Sequence, residues 1–224
     1  MSHDKKIAVG TSKGTIVLIN VNDYLDGIKN DKKWRSSKKE HEFSINAMRL
    51  NRRGDWLLTG DKSGVVKFFR SMIISENTEV KKGSEEDAHR HNDAIRDIAF
   101  SPTYEKFITC SDDKTLRIAD LAAGKVEKVL EGHGSDISTV DWHPSHSMVA
   151  SGGKDRYIKV WDPRAKEEIC SLYNHTNSIS KVRFSNNGDY LLTGAKDQMV
   201  KLFEVRAMKE LVSYKIHDAE VLCK

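Results

Sequence analysis

Apolar and polar residues alternate in short runs along most of the chain, and this period of two is typical of β-strands. The pattern is clearest in the segment that begins at His133. Four runs in this segment predict strands, at 137–142, 147–152, 157–162 and 168–172. Turn-forming residues separate the runs, for example at 143–146 and 162–164. The sequence therefore predicts an all-β chain made of units with four short strands.

The four-strand unit recurs along the chain at a fixed spacing. Each unit begins at a histidine, carries a hydroxyl residue eighteen positions later and closes a strand-like run ten positions after that. The histidines are His41, His91, His133 and His175, the hydroxyl residues Thr59, Thr109, Ser151 and Thr193, and the closing residues Phe69, Ala119, Trp161 and Phe203. The last three histidines are 42 residues apart, and His217 continues the series. A four-strand repeat of about 40–45 residues that ends near Trp-Asp is the signature of a WD-repeat β-propeller.

The repeats place the whole chain, residues 1–224, in one propeller region. We expect a partial blade over 5–40, blades that start near 41, 91, 133 and 175, and a further partial blade over 217–224. A seven-bladed ring at this period needs roughly 300 residues, so the expected structure is an incomplete part of such a ring, with about five blades. In the alternative, a strand at 220–224 completes the first partial blade and closes a five-bladed ring.

A buried polar network is expected in the unit that begins at His133. Buried polar groups need hydrogen-bond partners. The indole N–H of Trp161 can donate to Ser151, the Ser151 hydroxyl to His133, and the His133 imidazole to Asp155. Because parts of this set recur at one spacing in successive units, the set predicts a structural tetrad and not a catalytic triad.

The neighbouring units keep only part of the tetrad. Asp113 and Asp197 stand at the aspartate position of the units that begin at 91 and 175. In the unit that begins at His41, the same position holds Ser63, and we expect that unit to lack the aspartate.

Composition argues against several classes of protein. The longest apolar runs are too short to span a bilayer, so no membrane association is expected. The three cysteines show no CxxC spacing, which disfavours a disulfide scaffold or a zinc site. The chain has no HExxH motif, no phosphate-binding glycine loop and no isolated acidic pair. We therefore expect no enzyme activity, no cofactor, no metal site and no small-molecule substrate.

The positive charge of the chain is concentrated in one segment. The formal net charge is +4, and residues 29–40 alone carry six basic and two acidic side chains. The basic residues surround a tryptophan, and together they are Lys29, Lys32, Lys33, Trp34, Arg35, Lys38 and Lys39. Cations around an aromatic ring suit single-stranded nucleic acid, with Arg52 and Arg53 as an extension of the patch. A solvated basic loop whose tryptophan packs on the blade edge also explains the segment, and both interpretations remain open.

Several segments resemble the WD-repeat subunit of the cleavage and polyadenylation machinery, the polyadenylation factor subunit 2 family. They are residues 91–103, 106–118, 132–144 and 187–203. The combination of Gly-His-Gly at 132–134 with Asp-Trp-His-Pro at 141–144 is the most specific part of the resemblance. The resemblance extends from about Lys5 to the C-terminus and is interrupted by an insertion at 21–33.

The resemblance implies a non-catalytic scaffold in the nucleus that takes part in pre-mRNA 3′-end processing. The implied partners are other protein subunits of the processing complex, with pre-mRNA as a further partner. An aromatic residue before the fourth strand of an early blade stacks on a base in relatives that bind RNA. Counting seven residues back from His41 assigns that role to Trp34.

Two other functions fit the repeats. Substrate receptors of cullin-type ubiquitin ligases resemble this chain in carrying Trp-Asp-x-Arg after the third strand. Here Arg164 ends that motif, and Arg206 stands one repeat later. The second alternative is a generic WD-repeat scaffold for protein–protein interactions.

Overall fold

The computed structural model describes residues 6–20, 35–54, 56–70, 90–102, 106–215, 219 and 221. All regular secondary structure in these ranges is β-strand, which confirms the all-β prediction, and it forms five antiparallel sheets. We number the sheets as blades 1 to 5. Blade 1 contains β1 (Lys6–Gly10), β2 (Thr15–Asn20) and β3 (Arg35–Lys39), and blade 2 contains β4 (Ile45–Leu50), β5 (Trp56–Asp61) and β6 (Val66–Arg70). Blade 3 contains β7 (Ile95–Phe100), β8 (Lys106–Ser111), β9 (Leu116–Asp120) and β10 (Val126–Leu130). Blade 4 contains β11 (Ile137–Trp142), β12 (Val149–Gly153), β13 (Ile158–Asp162) and β14 (Glu167–Leu172), and blade 5 contains β15 (Ile179–Phe184), β16 (Tyr190–Ala195), β17 (Met199–Glu204) and β18 (Lys209–Lys215).

Strands that follow each other in sequence lie side by side in every blade. In blades 2 to 5, the pairing of the first two strands shifts register at equivalent positions, between Ile45 and Ala47, Ile95 and Asp97, Ile137 and Thr139, and Ile179 and Lys181. Such a bulge bends a strand and increases its twist. Because the bulge recurs, the first strands of successive blades have the same local shape.

Glycine allows neighbouring blades to approach closely. A Cβ atom on Gly60 would lie 2.5 Å from Cγ2 of Ile95, which opens the first strand of the next blade. A Cβ atom on Gly152 would lie 2.6 Å from Cγ2 of Ile179. Only a residue without a side chain fits at these distances. At these two junctions, the backbone of one blade therefore packs against an isoleucine of the next.

The apolar core lies between the blades rather than in one central cluster. Between blades 3 and 4, for example, Ile108 and Leu116 contribute from one sheet, and Val149 and Trp161 from the next. Successive side chains of a strand point to opposite faces of its sheet. Each internal blade therefore buries one set of residues against the preceding blade and the other set against the following blade.

The loops divide between two faces of the array. The links between blades and the turns between second and third strands lie on one face, which we call the upper face. The connections from first to second and from third to fourth strands lie on the other, the lower face. Backbone hydrogen bonds fix the upper face: the N–H of His41 donates to the carbonyl of Gly14 and the N–H of His91 to that of Gly64, at 3.0 and 2.9 Å.

Candidate functional site

The complete network predicted around His133 is present in blade 4. His133 Nδ1 lies 2.7 Å from Asp155 Oδ2, and His133 Nε2 lies 2.7 Å from Ser151 Oγ. The indole Nε1 of Trp161 donates to Ser151 Oγ at 2.8 Å. The backbone N–H of Gly134 donates to Asp155 Oδ2 at 2.9 Å, which holds the link between blades against the turn between β12 and β13. The network thus connects two strands, β12 and β13, and two upper-face loops.

Blades 3 and 5 contain the same contacts without the tryptophan. His91 Nδ1 lies 2.9 Å from Asp113 Oδ2 and its Nε2 lies 2.8 Å from Thr109 Oγ1. His175 makes the equivalent contacts with Asp197 and Thr193 at 2.9 and 2.8 Å. These networks match the spacing read from the sequence.

The expectation that blade 2 lacks an aspartate was wrong. His41 Nδ1 lies 2.8 Å from Asp61 Oδ2, so the carboxylate comes from a residue two positions before Ser63. Ser63 donates its hydroxyl to Asp61 Oδ1 at 2.8 Å, and the N–H of Val65 donates to the same oxygen at 3.0 Å. In blade 2, the carboxylate therefore comes from the end of β5, whereas in blades 3 to 5 it comes from the turn that follows the second strand. The turn of blade 2 forms hydrogen bonds to it through Ser63 and Val65.

The charge state of these groups follows from burial and hydrogen bonding. Burial raises the pKa of each network aspartate, but the hydrogen bonds from histidine and from backbone N–H groups outweigh it and leave the pKa below the ordinary value. Burial lowers the pKa of His91 and of His175 in spite of their aspartate partners. The networks of blades 3 and 5 therefore favour carboxylate beside neutral imidazole at neutral pH.

The serine of the blade 4 network is closed off from solvent. Ser151 is fully buried, and both ring nitrogens of His133 already have partners. A nucleophile must reach a substrate, and this hydroxyl does not reach solvent.

A second histidine contact joins blades 4 and 5 on the lower face. His143 is buried, and its Nε2 donates to the carbonyl of Gly188 at 3.0 Å. Its Nδ1 accepts the N–H groups of Ser145 and His146 at 3.2 and 2.9 Å, which assigns the neutral Nε2–H tautomer. Burial lowers the pKa of His143. This contact explains the histidine of the Asp-Trp-His-Pro motif, which the sequence analysis singled out without a role.

An ionic network that the sequence did not reveal crosses the inner strands. The carboxylate of Asp97 on β7 is buried and accepts a hydrogen bond from Thr139 on β11 at 3.0 Å. The ammonium group of Lys181 on β15 also reaches this carboxylate, two blades away. Arg49 on β4 lies 3.7 Å from the other oxygen of Asp97. The carboxylate of Asp97 thus contacts side chains on the first strands of three other blades.

A related pair lies beside this network. Asp141 accepts the backbone N–H of Phe184 at 2.8 Å and the guanidinium of Arg183 at 3.0 Å. Burial raises the pKa of Asp141 above its ordinary value. Since Arg183 is 43% exposed at its side chain, solvent screens this pair more than it screens Asp97.

The predicted nucleic-acid patch falls only partly within the described residues. Lys29, Lys32, Lys33 and Trp34 lie outside them, and of Arg35 only the backbone position is described, at the start of β3. Arg52 and Arg53 are exposed in the turn between β4 and β5, on the lower face where β3 begins. Lys38 and Lys39 lie at the other end of β3, where Lys39 pairs with Thr15 and Lys38 forms an ion pair with Glu40 at 2.7 Å. The residues named for one patch therefore divide between the two faces.

The two arginines of the ligase-receptor interpretation occupy equivalent lower-face turns. Arg164 and Arg206 are both exposed after the third strands of blades 4 and 5. The guanidinium of Arg164 donates to Asp162 at 3.1 Å. Asp162 ends β13 just before this turn and orients the guanidinium, while the ammonium group of Lys128 on β10 of blade 3 donates to the Arg164 carbonyl.

The described residues contain no cluster of three or more histidine, cysteine, aspartate or glutamate side chains that could hold a metal ion. In the same part of the chain, no helix has the length and apolar character needed to cross a membrane.

Comparison with protein families identifies the repeats. The model described as "WD domain, G-beta repeat" matches residues 33–70, 85–120, 124–162 and 166–204. The chain belongs to the WD-repeat family. The first, third and fourth matched stretches each begin at the outer strand of one blade and end at the third strand of the next. The sequence repeat of this WD-repeat protein is thus offset by one strand from its structural blade, so each repeat links two sheets covalently.

The WD-repeat protein is similar to several curated fungal proteins. Polyadenylation factor subunit 2 of Candida albicans is 36% identical over 90 residues, which is 40% of this chain and 15% of that protein. Polyadenylation factor subunit 2 of Cryptococcus neoformans var. neoformans is 31% identical over 133 residues, 59% of this chain and 16% of that protein. Nuclear distribution protein PAC1-2 of Uncinocarpus reesii is 44% identical over 43 residues, 19% of this chain and 9% of that protein. The matched part of the chain spans about a sixth of the length of the two polyadenylation factor subunits.

Proposed function

We propose that this WD-repeat protein is a non-catalytic scaffold subunit of the nuclear machinery that cleaves and polyadenylates pre-mRNA. The observation that carries the proposal is the similarity of 31% to 36% to proteins named Polyadenylation factor subunit 2, over stretches of 90 to 133 residues. The Gly-His-Gly and Asp-Trp-His-Pro segments at 132–134 and 141–144 support it, because they are the most specific part of the resemblance to this family. The partners of such a scaffold are the other protein subunits of the processing complex.

The lower face is the proposed RNA-contacting surface. Arg52 and Arg53 are exposed there and β3 begins there with Arg35, directly after the segment that contains Trp34. Basic groups beside an aromatic ring combine neutralisation of phosphate with stacking on a base. We assign RNA contact to Lys29, Lys32, Lys33, Trp34 and Arg35 with the two arginines. Lys38 and Lys39, at the opposite end of β3, contribute through the general positive potential.

Co-purification tests the scaffold role. A tagged form of the chain is incubated with nuclear extract, and bound proteins are identified by mass spectrometry. Recovery of cleavage and polyadenylation subunits supports the proposal. Recovery of cullin-ligase adaptors without those subunits contradicts it and favours the ligase-receptor function.

A matched variant separates these two functions. Arg164→Ala with Arg206→Ala removes two exposed arginines from equivalent turns of blades 4 and 5. The proposed scaffold retains its polyadenylation partners in this variant. A ligase receptor loses its adaptor.

A further inference from the structure

Trp142 belongs to the Asp-Trp-His-Pro segment, and its indole N–H takes no part in the contacts that hold blades 4 and 5 together. The residue is 7% exposed and lies in the core between blades 3 and 4, in the same cluster as Ile118. In the part of the chain that the structure describes, its Nε1–H has no hydrogen-bond acceptor, whereas Nε1 of Trp161 donates to Ser151. A buried donor without an acceptor is uncommon, because the loss of water at the donor is then not compensated.

Packing alone does not require an indole at this position. Trp142 is the last residue of β11, and the last residues of the other described first strands, β4, β7 and β15, are Leu50, Phe100 and Phe184. These three side chains contain no polar atom. Blade 4 therefore differs from blades 2, 3 and 5 in carrying a hydrogen-bond donor here.

A cavity of about 240 Å³ lies beside Trp142 on the lower face, between blades 3 and 4. Ile118 and Pro163, both buried, contribute apolar parts of its lining. The volume is below the roughly 300–1,000 Å³ of most small-molecule sites. It corresponds to about eight water molecules at roughly 30 Å³ each. The cavity therefore has room for one or two side chains of a partner chain rather than for a cofactor.

The lining includes a lysine whose charge is not matched by a carboxylate. Lys128 on β10 donates to the carbonyl of Pro163 at 2.9 Å and to that of Arg164. Both acceptors are neutral, and no ion pair of Lys128 occurs among the described residues. An ammonium group has three N–H donors, so one remains available.

The other charged groups around the cavity are already paired. Lys106 pairs with Glu127, and the guanidinium of Arg164 pairs with Asp162. The positive charge of Lys128 is therefore in excess at the cavity. Together with the Trp142 N–H, it favours a ligand that is both an anion and a hydrogen-bond acceptor.

We propose that this cavity is a docking site for an acidic segment of a partner protein. In this arrangement, the carboxylate of an aspartate or glutamate accepts the Trp142 N–H and pairs with Lys128. An adjoining apolar side chain of the segment packs on Ile118 and Pro163. A carboxylate only accepts hydrogen bonds, and bonds to a charged acceptor are stronger than neutral ones. The site goes beyond the proposed function, because the chemistry of the segment is defined whichever protein supplies it.

The surroundings favour a protein segment over a nucleic acid. Single-stranded RNA needs an exposed aromatic face on which a base can stack. The ring of Trp142 is buried among apolar side chains and offers no such face. Glu127 at the cavity is exposed and repels a chain that carries a phosphate at every residue, whereas a peptide needs only one carboxylate.

Two substitutions remove the two recognition groups separately. Trp142→Phe removes the N–H and keeps an aromatic ring, as in Phe100 and Phe184 of the neighbouring blades. Lys128→Met removes the charge and keeps the length of the side chain. The matched control is Lys125→Met, because Lys125 is exposed three residues earlier, in the connection that leads to β10.

Nuclear magnetic resonance of the indole N–H groups measures binding to the full chain. The probes are the acetylated peptide amides Gly-Glu-Leu-Gly and Gly-Asp-Leu-Gly, with Gly-Gln-Leu-Gly as the uncharged control. The acidic peptides should shift the indole signal that Trp142→Phe removes, and the glutamine peptide should bind at least about tenfold more weakly. In fluorescence anisotropy with labelled acidic peptides, Trp142→Phe and Lys128→Met should each weaken binding roughly tenfold or more. Lys125→Met should bind as the wild type does, and circular dichroism melts confirm that each variant is folded.

Four results would overturn the proposal. If the acidic peptides left the Trp142 signal unchanged, the cavity would not accept a carboxylate. Equal binding of the glutamate and glutamine peptides would show that charge has no role. Unchanged affinity in Trp142→Phe would remove the indole from the site. Displacement of the peptide by an equimolar A/U-rich oligonucleotide would assign the site to phosphate instead. These measurements use the isolated chain and defined peptides, so their failure is distinguishable from failure to recover polyadenylation subunits.

Discussion

His41 Nδ1 lies 2.8 Å from Oδ2 of Asp61, two residues before the position that supplies the aspartate in blades 3 to 5. The histidine spacing is thus stricter than the spacing of its partner. A histidine four residues before the first strand pairs with a carboxylate from the turn between the second and third strands or, in blade 2, from the end of the second strand. Blade 2 consequently has a complete His–Thr–Asp network.

The pairing of His41 with Asp61 gives the first prediction. Asp61→Ala and Asp155→Ala should each lower the free energy of unfolding by about 2–4 kcal/mol, since each leaves a buried histidine without its acceptor. Ser63→Ala should cost about 1 kcal/mol, because it removes one hydrogen bond to Asp61 and leaves the histidine paired. Urea unfolding provides the comparison. If Ser63→Ala were as damaging as Asp61→Ala, the assignment of Asp61 would be wrong.

The contact between blades 4 and 5 gives the second prediction. Gly188 has φ of 84°, and a Cβ atom there would lie 2.3 Å from Cε1 of His143. Gly54 has φ of 74° in the equivalent turn of blade 2, with no atom within 4 Å of an added Cβ. Gly54→Ala should therefore cost about 1 kcal/mol of backbone strain alone. Gly188→Ala should cost about 1–3 kcal/mol more, because the added methyl displaces His143. Equal urea midpoints for the two variants would contradict the contact.

The inner-strand ionic network gives the third prediction. Asp97→Asn leaves the ammonium of Lys181 without a carboxylate in a mostly buried position, and should cost about 2–4 kcal/mol. Asp136→Asn is the control, because Asp136 pairs with Lys154, whose side chain is 56% exposed. That substitution should cost less than about 1 kcal/mol. Thermal unfolding in low salt compares the two, and similar losses would show that Asp97 does not organise the inner strands.

The fourth prediction concerns acid pH. Burial lowers the pKa of His91, His143 and His175 below the ordinary histidine value of 6.5. Just below that pH the unfolded chain binds protons at these residues that the folded chain does not bind. Stability should therefore fall as the pH drops from 7.5 through 6.5 and below.

The aspartates behave differently in the same titration. Hydrogen bonds lower the pKa of these carboxyl groups in spite of burial. The stability that the carboxylates contribute is therefore present above pH 3.8 and is lost only at lower pH. Urea midpoints at pH 7.5, 6.5 and 5.5 separate the two groups. A constant midpoint over this range would show that the buried imidazoles carry no linked proton.

The fifth prediction concerns RNA. Binding of an A/U-rich oligonucleotide should weaken with salt at a log–log slope of about −2 to −3, as three or four phosphate contacts require. Replacing Lys29, Lys32, Lys33, Arg35, Lys38 and Lys39 by alanine should flatten the slope. Trp34→Ala should weaken binding by about 1–3 kcal/mol at every salt concentration, because stacking is not screened.

A matched control keeps the change in net charge constant. Six exposed basic residues of the upper face are replaced by alanine instead: Lys13, Lys62, Lys114, Lys154, Arg156 and Lys196. Fluorescence anisotropy should show RNA binding close to that of the wild type for this control. Equal losses in both six-fold variants would indicate binding by overall charge, without a defined lower-face site.

The sequence by itself determined the strands, the four-strand period and the histidine–hydroxyl spacing. These features depend on residues within one or two strands of each other, such as His133 and Ser151, whose separation the regular blade fixes. Alternation and turn chemistry act locally, so they can be read from a linear pattern. The family resemblance rested on the same local motifs.

The tertiary structure decided the contacts between blades. Asp97 and Lys181 are 84 residues apart, and they meet because the first strands of three successive sheets, β7, β11 and β15, lie next to one another. Ile108 is buried because it packs against the following sheet, whereas Leu192 at the equivalent position of blade 5 is exposed. A linear sequence does not specify these angles, because each depends on how two amphipathic sheets fit against each other.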